Sequence, residues 1–249
     1  MVTSFAIHPG SIFIYGRSAR VSFEVAGRSR SVRLRLLVLR PGARRPLRAI
    51  DLGTRPTNVV QTVRVNGRQG GTLPQGTFEL RLSGRDSAGR RVRAGAQASG
   101  VQRLQFHWHR FPLMGQFTYG ISPDGRFGAP RPGHAHQGQD IPAPEGTPVV
   151  APRGGVVKFI GYQAEGAGHY VVLHGEGEDL DFAFMHLKDG TIAVKEGERV
   201  ATGQRLGLVG STGESSGPHL HFEIWKGAWF AGGHPIDPLP FLRRWDAWS

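Results

Sequence analysis

At 249 residues the chain has room for two domains of ordinary size, each with its own core. The absence of cysteine excludes disulfides, thiolate metal ligands and cysteine nucleophiles, so any metal must be held by His, Asp or Glu. The net charge of +12 is uneven: residues 1–106 hold 19 Arg, no Lys and 4 acidic residues (+15), and residues 107–249 hold 12 basic and 15 acidic residues (−3). A segment that basic can dock on an anionic polymer such as teichoic acid, nucleic acid or a lipid surface, or be the solvated face of an arginine-rich protein. A specific nucleic-acid partner is not expected. With 37 Gly and 17 Pro the composition points to a turn-rich, mostly β protein. No apolar run is long enough to cross a bilayer, and residues 1–16 show no secretory leader.

In chain order, the first hundred residues read as short strands at regular spacing. Residues 20–25 alternate, 32–39 alternate and then run apolar, and 59–65 alternate again. Pro74-Gln75-Gly76 turns into a strand over 77–82, and Asp86-Ser87-Ala88-Gly89 turns into 91–93. Strands of this kind predict a small antiparallel sandwich. Its pattern resembles the immunoglobulin-like accessory domains of bacterial surface proteins. His8 is the lone histidine there and carries no chemistry. Residues 94–118 read as the link, with the composition break at 94–100. His107 and His109 flank Trp108 and read as structural or exposed, since no acidic partner stands at a ligand-like spacing. The division expected is an accessory domain over 1–106 and a second domain over 107–249.

The second half presents three histidine clusters. The first is His136-Gln137-Gly138-Gln139-Asp140. Its His and Asp are four apart, but Pro132, Gly133, Gly138 and Pro142 argue against a helix and for a tight glycine turn. His134 is a competing ligand, ranked as facing substrate or supporting the site. Strands follow over 147–151, 155–160, 170–173 and 182–185, with His169 and His174 as surface residues. The second cluster is Phe184-Met185-His186-Leu187 and the third Gly217-Pro218-His219-Leu220-His221-Phe222-Glu223-Ile224-Trp225. On a strand, His219 and His221 project to one side while Leu220 and Phe222 face an apolar layer. No stretch of this half shows helical periodicity, and the tail from Ile236 to Leu242 is expected to pack back on the sheet.

Two imidazoles and one carboxylate with an open fourth position make a catalytic zinc site, and His136, Asp140 and His221 fit that count. Water at such an ion becomes a nucleophile at neutral pH. His219, on the face of His221, is placed to take its proton, and His186 to polarise or steady the developing oxyanion.

These segments resemble the three signatures of the lysostaphin-type (LytM-like) zinc endopeptidases: H-x-G-x-D at 136–140, aromatic-Met-His-Leu at 184–187, and H-L-H at 219–221. The similarity spans about 115–242 and includes Gly146-Thr147-Pro148-Val149, Val200-Ala201-Thr202-Gly203-Gln204, Gly210-Ser211-Thr212-Gly213 and Asp237-Pro238. The resemblance implies an all-β fold, with an antiparallel catalytic sheet and an open groove following the sandwich. It implies Zn2+ on His136, Asp140 and His221, a catalytic pair of His219 and His186, and cleavage of cross-links or stem peptides in bacterial peptidoglycan outside the cytoplasm. No motif position is missing, which argues against relatives of the same fold that are catalytically silent and only bind the wall or activate other hydrolases. A carrier domain is a weaker rival, since 199–225 offers no modifiable lysine; ferrous iron suits the same ligands but no cosubstrate motif accompanies them.

Overall fold

The computed structural model describes residues 1–95, 100–120 and 122–249, so part of the composition break expected at 94–100, residues 96–99, lies outside the described residues. Two compact units divide the chain, Met1–Trp108 and His109–Ser249.

The first unit is built of β1 (Val2–His8), β2 (Ser11–Phe13), β3 (Ala19–Val25), β4 (Ser31–Leu39), β5 (Arg48–Pro56), β6 (Gln61–Val65), β7 (Gly76–Asp86) and β8 (Gln102–His107). They form a three-stranded sheet, β1-β3-β6, and a five-stranded one, β2-β8-β7-β4-β5. The apolar alternation of β3 and β4 supplies one cluster that both sheets share: Phe23 and Val21 from one, Leu34, Leu36, Phe78, Leu80, Leu104 and Phe106 from the other, all buried. The predicted strands over 20–25, 32–39 and 77–82 form, each slightly longer. Three expectations fail. Residues 102–107, read as part of the link, form β8 against β7. Val59 and Val60 are exposed, and β6 starts only at Gln61, because Asn58 turns the chain with φ of 59°. Residues 91–93 make an isolated bridge, Arg85 to Arg91, instead of a strand.

The second unit holds β9 (Pro130–Arg131), β10 (His134–Ala135), β11 (Gln139–Pro142), β12 (Pro148–Val150), β13 (Gly155–Gln163), β14 (Gly168–Gly175), β15 (Leu180–Leu187), β16 (Arg199–Val200), β17 (Arg205–Leu208), β18 (His219–Lys226) and β19 (His234–Ile236). Its main sheet runs β11-β18-β15-β14-β13-β16, with β19 also paired to β18. Every pairing in it is antiparallel. β12 and β17 make a second small sheet and β9 and β10 a hairpin. Phe182, Phe184, Leu220, Phe222 and Ile224 fill the core between β18 and its neighbours.

A helix, α1 (Leu239–Asp246), corrects the reading of a helix-free half. Pro240 stands in its first turn, where no backbone donor is needed, and Arg243 and Arg244 sit in its last turn, where cations suit the dipole. Only Leu242 and Trp245 mark its inner face, too short a run to show a period, yet both enter the core. The tail thus packs back on the sheet as expected, by β19 and α1 together.

Candidate metal and catalytic site

Strand β18 organises the site. Leu220, Phe222 and Ile224 are fully buried on one face, each contributing about 1.5–3 kcal/mol of apolar burial, so the strand cannot slip by one residue without turning all three to solvent. The other face then presents His219, His221 and Glu223 in a row. β11 and β15 flank β18, with Asp140 directly opposite His221 on one side and Met185 opposite it on the other.

His136 reaches the same point from just before β11. Its Nε2 lies 2.9 Å from His221 Nδ1 and 3.2 Å from Asp140 Oδ1, and His221 Nδ1 lies 2.9 Å from the same oxygen. Gly138 allows this approach by its lack of a side chain. A Cβ there would meet the Phe222 carbonyl at 2.6 Å and His221 Nε2 at 2.7 Å. The glycine between the two ligating positions is therefore required for room.

The remaining ring nitrogens fix the tautomers. His136 Nδ1 donates to the Arg126 carbonyl at 2.8 Å and His221 Nε2 to Glu223 Oε1 at 3.0 Å, so in the neutral rings Nε2 of His136 and Nδ1 of His221 carry the lone pairs. Two lone pairs and a carboxylate oxygen converging within about 3 Å demand a positive charge among them. Where no ion supplies that charge a proton does, and a protonated ring donates to Asp140 from the nitrogen that would otherwise ligate. Burial opposes charge on Asp140, but hydrogen bonds from His136 and His221 outweigh it and hold the carboxyl well below the usual range. Burial likewise opposes charge on His221, yet its bonds to Asp140 and Glu223 raise it to about 9. Ligand atoms around a tetrahedral ion with bonds of about 2.0–2.1 Å stand about 3.3 Å apart, close to the observed spacing. His136, Asp140 and His221 thus form a set able to hold a metal ion.

His186 and His219 lie beside this set, their rings 4.7 Å apart, with His186 6.0 Å from the His221 ring. His186 leaves the β15 ladder with φ of 60°, a left-handed conformation unusual outside glycine. Its N–H donates to Ala167 and its carbonyl accepts from Gly210, and Nδ1 donates to the Thr212 carbonyl at 2.8 Å. Burial first, then the neighbouring His219, push its pKa down to about 4. His219 Nδ1 donates to the Gly217 carbonyl at 2.8 Å, and its Nε2 lies 3.6 Å from Asp140 Oδ1. All five residues singled out from the sequence therefore stand together in one groove of about 1030 Å³.

The other histidines lie as follows. His134 is exposed on β10 and lines the groove without joining the ligand set. His109 stacks on Trp245 and binds Glu178 at 3.0 Å, and His107 is buried against Phe13, so of the two alternatives, structural or exposed, both are structural. His169 and His174, read as surface residues, are half-buried and half-exposed respectively, paired with Asp189 and the buried Asp181.

Glu223 escaped the sequence reading. It is buried, and it accepts from His221 Nε2, from Trp225 Nε1 at 2.7 Å and from Trp229 Nε1 at 3.0 Å. Burial would raise its pKa, but these donors keep it below the usual range. The period of two that placed His219 and His221 on one face continues to position 223, a signal present in the chain.

Comparison with known proteins bears on the same unit. Residues 134–238 match peptidase family M23. A metalloprotease of Haemophilus influenzae described as uncharacterised is 38% identical over 132 residues, 52% of this chain and 26% of that protein. The peptidoglycan DD-endopeptidase ShyA of Vibrio cholerae is 38% identical over 104 residues, 42% of this chain and 22% of that one. The chain thus spans about a quarter of the length of these curated relatives. The solved catalytic domain of the antimicrobial peptidase lysostaphin from Staphylococcus simulans is 33% identical, over 51% of this chain and 92% of that domain, with a TM-score of 0.44. The chain thus carries a peptidase family M23 domain over residues 134–238, the stretch that holds all five clustered residues.

Proposed function

We propose that the chain is a zinc-dependent endopeptidase that hydrolyses peptide bonds of bacterial peptidoglycan and acts outside the cytoplasm, where that polymer lies. The observation that carries this is the convergence of His136 Nε2, Asp140 Oδ1 and His221 Nδ1 beside His186 and His219. The action of ShyA on peptidoglycan supports the substrate.

His136, Asp140 and His221 would hold the ion. When bound, zinc supplies the Lewis acidity that makes water a nucleophile at neutral pH. His219, its Nδ1 tied to Gly217, turns Nε2 towards Asp140 and accepts the proton of the attacking water there. His186 is neutral in the resting site with Nδ1 as its donor, so a hydrogen bond from its Nε2 to the oxyanion requires a proton. The ring of His219, 4.7 Å away, is the nearby source. Metal analysis of chain purified without chelator, joined to mass spectrometry of fragments released from peptidoglycan, tests the reading. Stoichiometric zinc with new amino termini supports it; zinc without cleavage indicates a silent wall-binding or activating module, and iron instead of zinc overturns the metal.

The first unit reads as an immunoglobulin-like accessory domain for an anionic cell-wall polymer. Arg20 faces Arg64 across β3 and β6, and Arg33, although paired with Asp51 at 3.0 Å, faces Arg85 across β4 and β7. Like charges directly opposite cost stability, so these pairs favour an anionic partner. An arginine-rich genome exchanges Lys for Arg at constant charge, which does not explain +15 in one part of a chain and −3 in the other.

A further inference from the structure

Arg131 is the one Arg or Lys side chain lining the catalytic groove among the described residues. It stands on β9 directly opposite His134 on β10, and both line the same wall. Its Nη2 donates to the Asp124 carbonyl at 2.8 Å, which fixes the guanidinium. The same nitrogen lies 3.5 Å from Asp140 Oδ2. A committed guanidinium–carboxylate hydrogen bond is about 2.7–2.9 Å long, so this contact is loose. Asp140 is already occupied through Oδ1 with His136 and His221. A guanidinium has five N–H donors and is always charged, so Arg131 keeps donors for a second carboxylate beside the reacting centre. The groove's other charged lining residues outside the metal and histidine cluster are Glu165, Glu214 and Glu223; the last is held by His221 and two indoles, and the first two repel an anion from their loops and leave the Arg131 wall as its place.

We propose that Arg131 forms a carboxylate subsite, and that the bond cut is one whose amide nitrogen is borne on a carbon carrying a free carboxylate. This rests on the peptidase reading. The carbonyl carbon attacked and that carboxylate carbon are three bonds apart, at most about 3.7 Å, which matches a cation set one carboxylate's width from the ligand cluster. In the reaction the oxygen of water bonds to the carbonyl carbon, the C–N bond breaks, and the amine leaves protonated on the carbon whose carboxylate Arg131 holds. Two sources share this chemistry: a direct cross-link from D-alanine to the amino group of a diamino acid whose neighbouring carboxyl is free, and a stem peptide ending in D-alanyl-D-alanine. A glycyl-glycine bridge carries no charge beside its bond and does not.

The test uses the full zinc-loaded chain and two substrate pairs, a cross-linked muropeptide and a linear pentapeptide stem. Each is supplied as the free acid and as the primary amide at the carboxyl next to the scissile nitrogen. The native chain is expected to prefer acid over amide by about 10- to 100-fold in kcat/KM, the range for hydrogen bonds to a charged group. Arg131→Gln abolishes that preference with zinc content unchanged, and the active pair identifies the source. Equal cleavage of acid and amide by the native chain overturns the subsite, as does a preference that survives in Arg131→Gln. Loss of zinc from that variant also overturns it, since Arg131 then acts through Asp140. Calorimetry on the His219→Ala chain separates the two readings. If the native chain cuts neither pair, binding by His219→Ala that favours acid over amide keeps the subsite and removes the peptidase; equal binding removes the subsite.

Discussion

Glu223 Oε1 sits 3.0 Å from His221 Nε2, the ring nitrogen on the far side from the one that meets His136 and Asp140. A buried carboxylate there accepts a hydrogen bond from Nε2–H and so keeps the lone pair of the neutral ring on Nδ1, where the metal set needs it.

Replacing that carboxylate by its amide reverses the logic. Glu223 also accepts from the indoles of Trp225 and Trp229, so in Glu223→Gln the amide oxygen stays with the two indole donors and the NH2 is left to face His221. Nε2 must then accept, and the ring proton moves to Nδ1. We expect zinc affinity to fall by about 10- to 100-fold, read by competition with a chelator. Native affinity in this variant would show that the carboxylate does not set the tautomer.

Substitutions around the groove should divide into two groups. His136→Ala, Asp140→Ala and His221→Ala lose metal and activity together. His219→Ala and His186→Ala keep stoichiometric zinc and lose about 10²- to 10⁴-fold in turnover. Metal content and single-turnover rates on peptidoglycan fragments measure both, and an active Asp140→Ala chain would refute the ligand assignment.

Gly138→Ala places a methyl group 2.6 Å from the Phe222 carbonyl, a backbone atom of the sheet, and 2.7 Å from His221 Nε2, which is bonded to Glu223. The expected cost is about 1–3 kcal/mol in denaturant unfolding, together with weaker zinc binding as β11 is forced off β18. An unchanged unfolding midpoint would mean that the strands part without penalty.

The facing arginines of the first unit make an opposite prediction for stability and binding. Arg20→Gln with Arg64→Gln relieves a like-charge pair and should stabilise the unit by about 0.2–1 kcal/mol. The same change should weaken adsorption to a phosphodiester polymer such as teichoic acid and lower the slope of log affinity against log salt by about 1 for each phosphate that an arginine no longer neutralises. Adsorption with an unaltered slope would place the polymer elsewhere.

The fold and the site were legible to different depths. Strand β4 announced itself because its apolar alternation matches its burial residue by residue. β8 did not, because a six-residue strand beside Gly- and Ala-rich chain looks like a linker until β7 is known to pair with it. α1 was hidden by Pro238 just before it and Pro240 in its first turn, and by an inner face of only Leu242 and Trp245. Glu223 stood in plain view two positions after His221, but its role depends on the indole of Trp229, which returns from the loop beyond the strand.

What the chain determined by itself is whatever depends on neighbours along it. The period of two puts His219 and His221 on one face, the run of Leu220, Phe222 and Ile224 anchors the other, and Gly138 leaves room between His136 and Asp140. Only the tertiary structure decided which strands lie side by side: Asp140 opposite His221, His186 swung out of its ladder beside His219, and Arg131 carried by a hairpin to the rim of the ligand cluster. The physical reason is that side-chain direction is set by local backbone geometry, whereas pairing between strands is selected by burial of the whole core, to which every distant segment contributes.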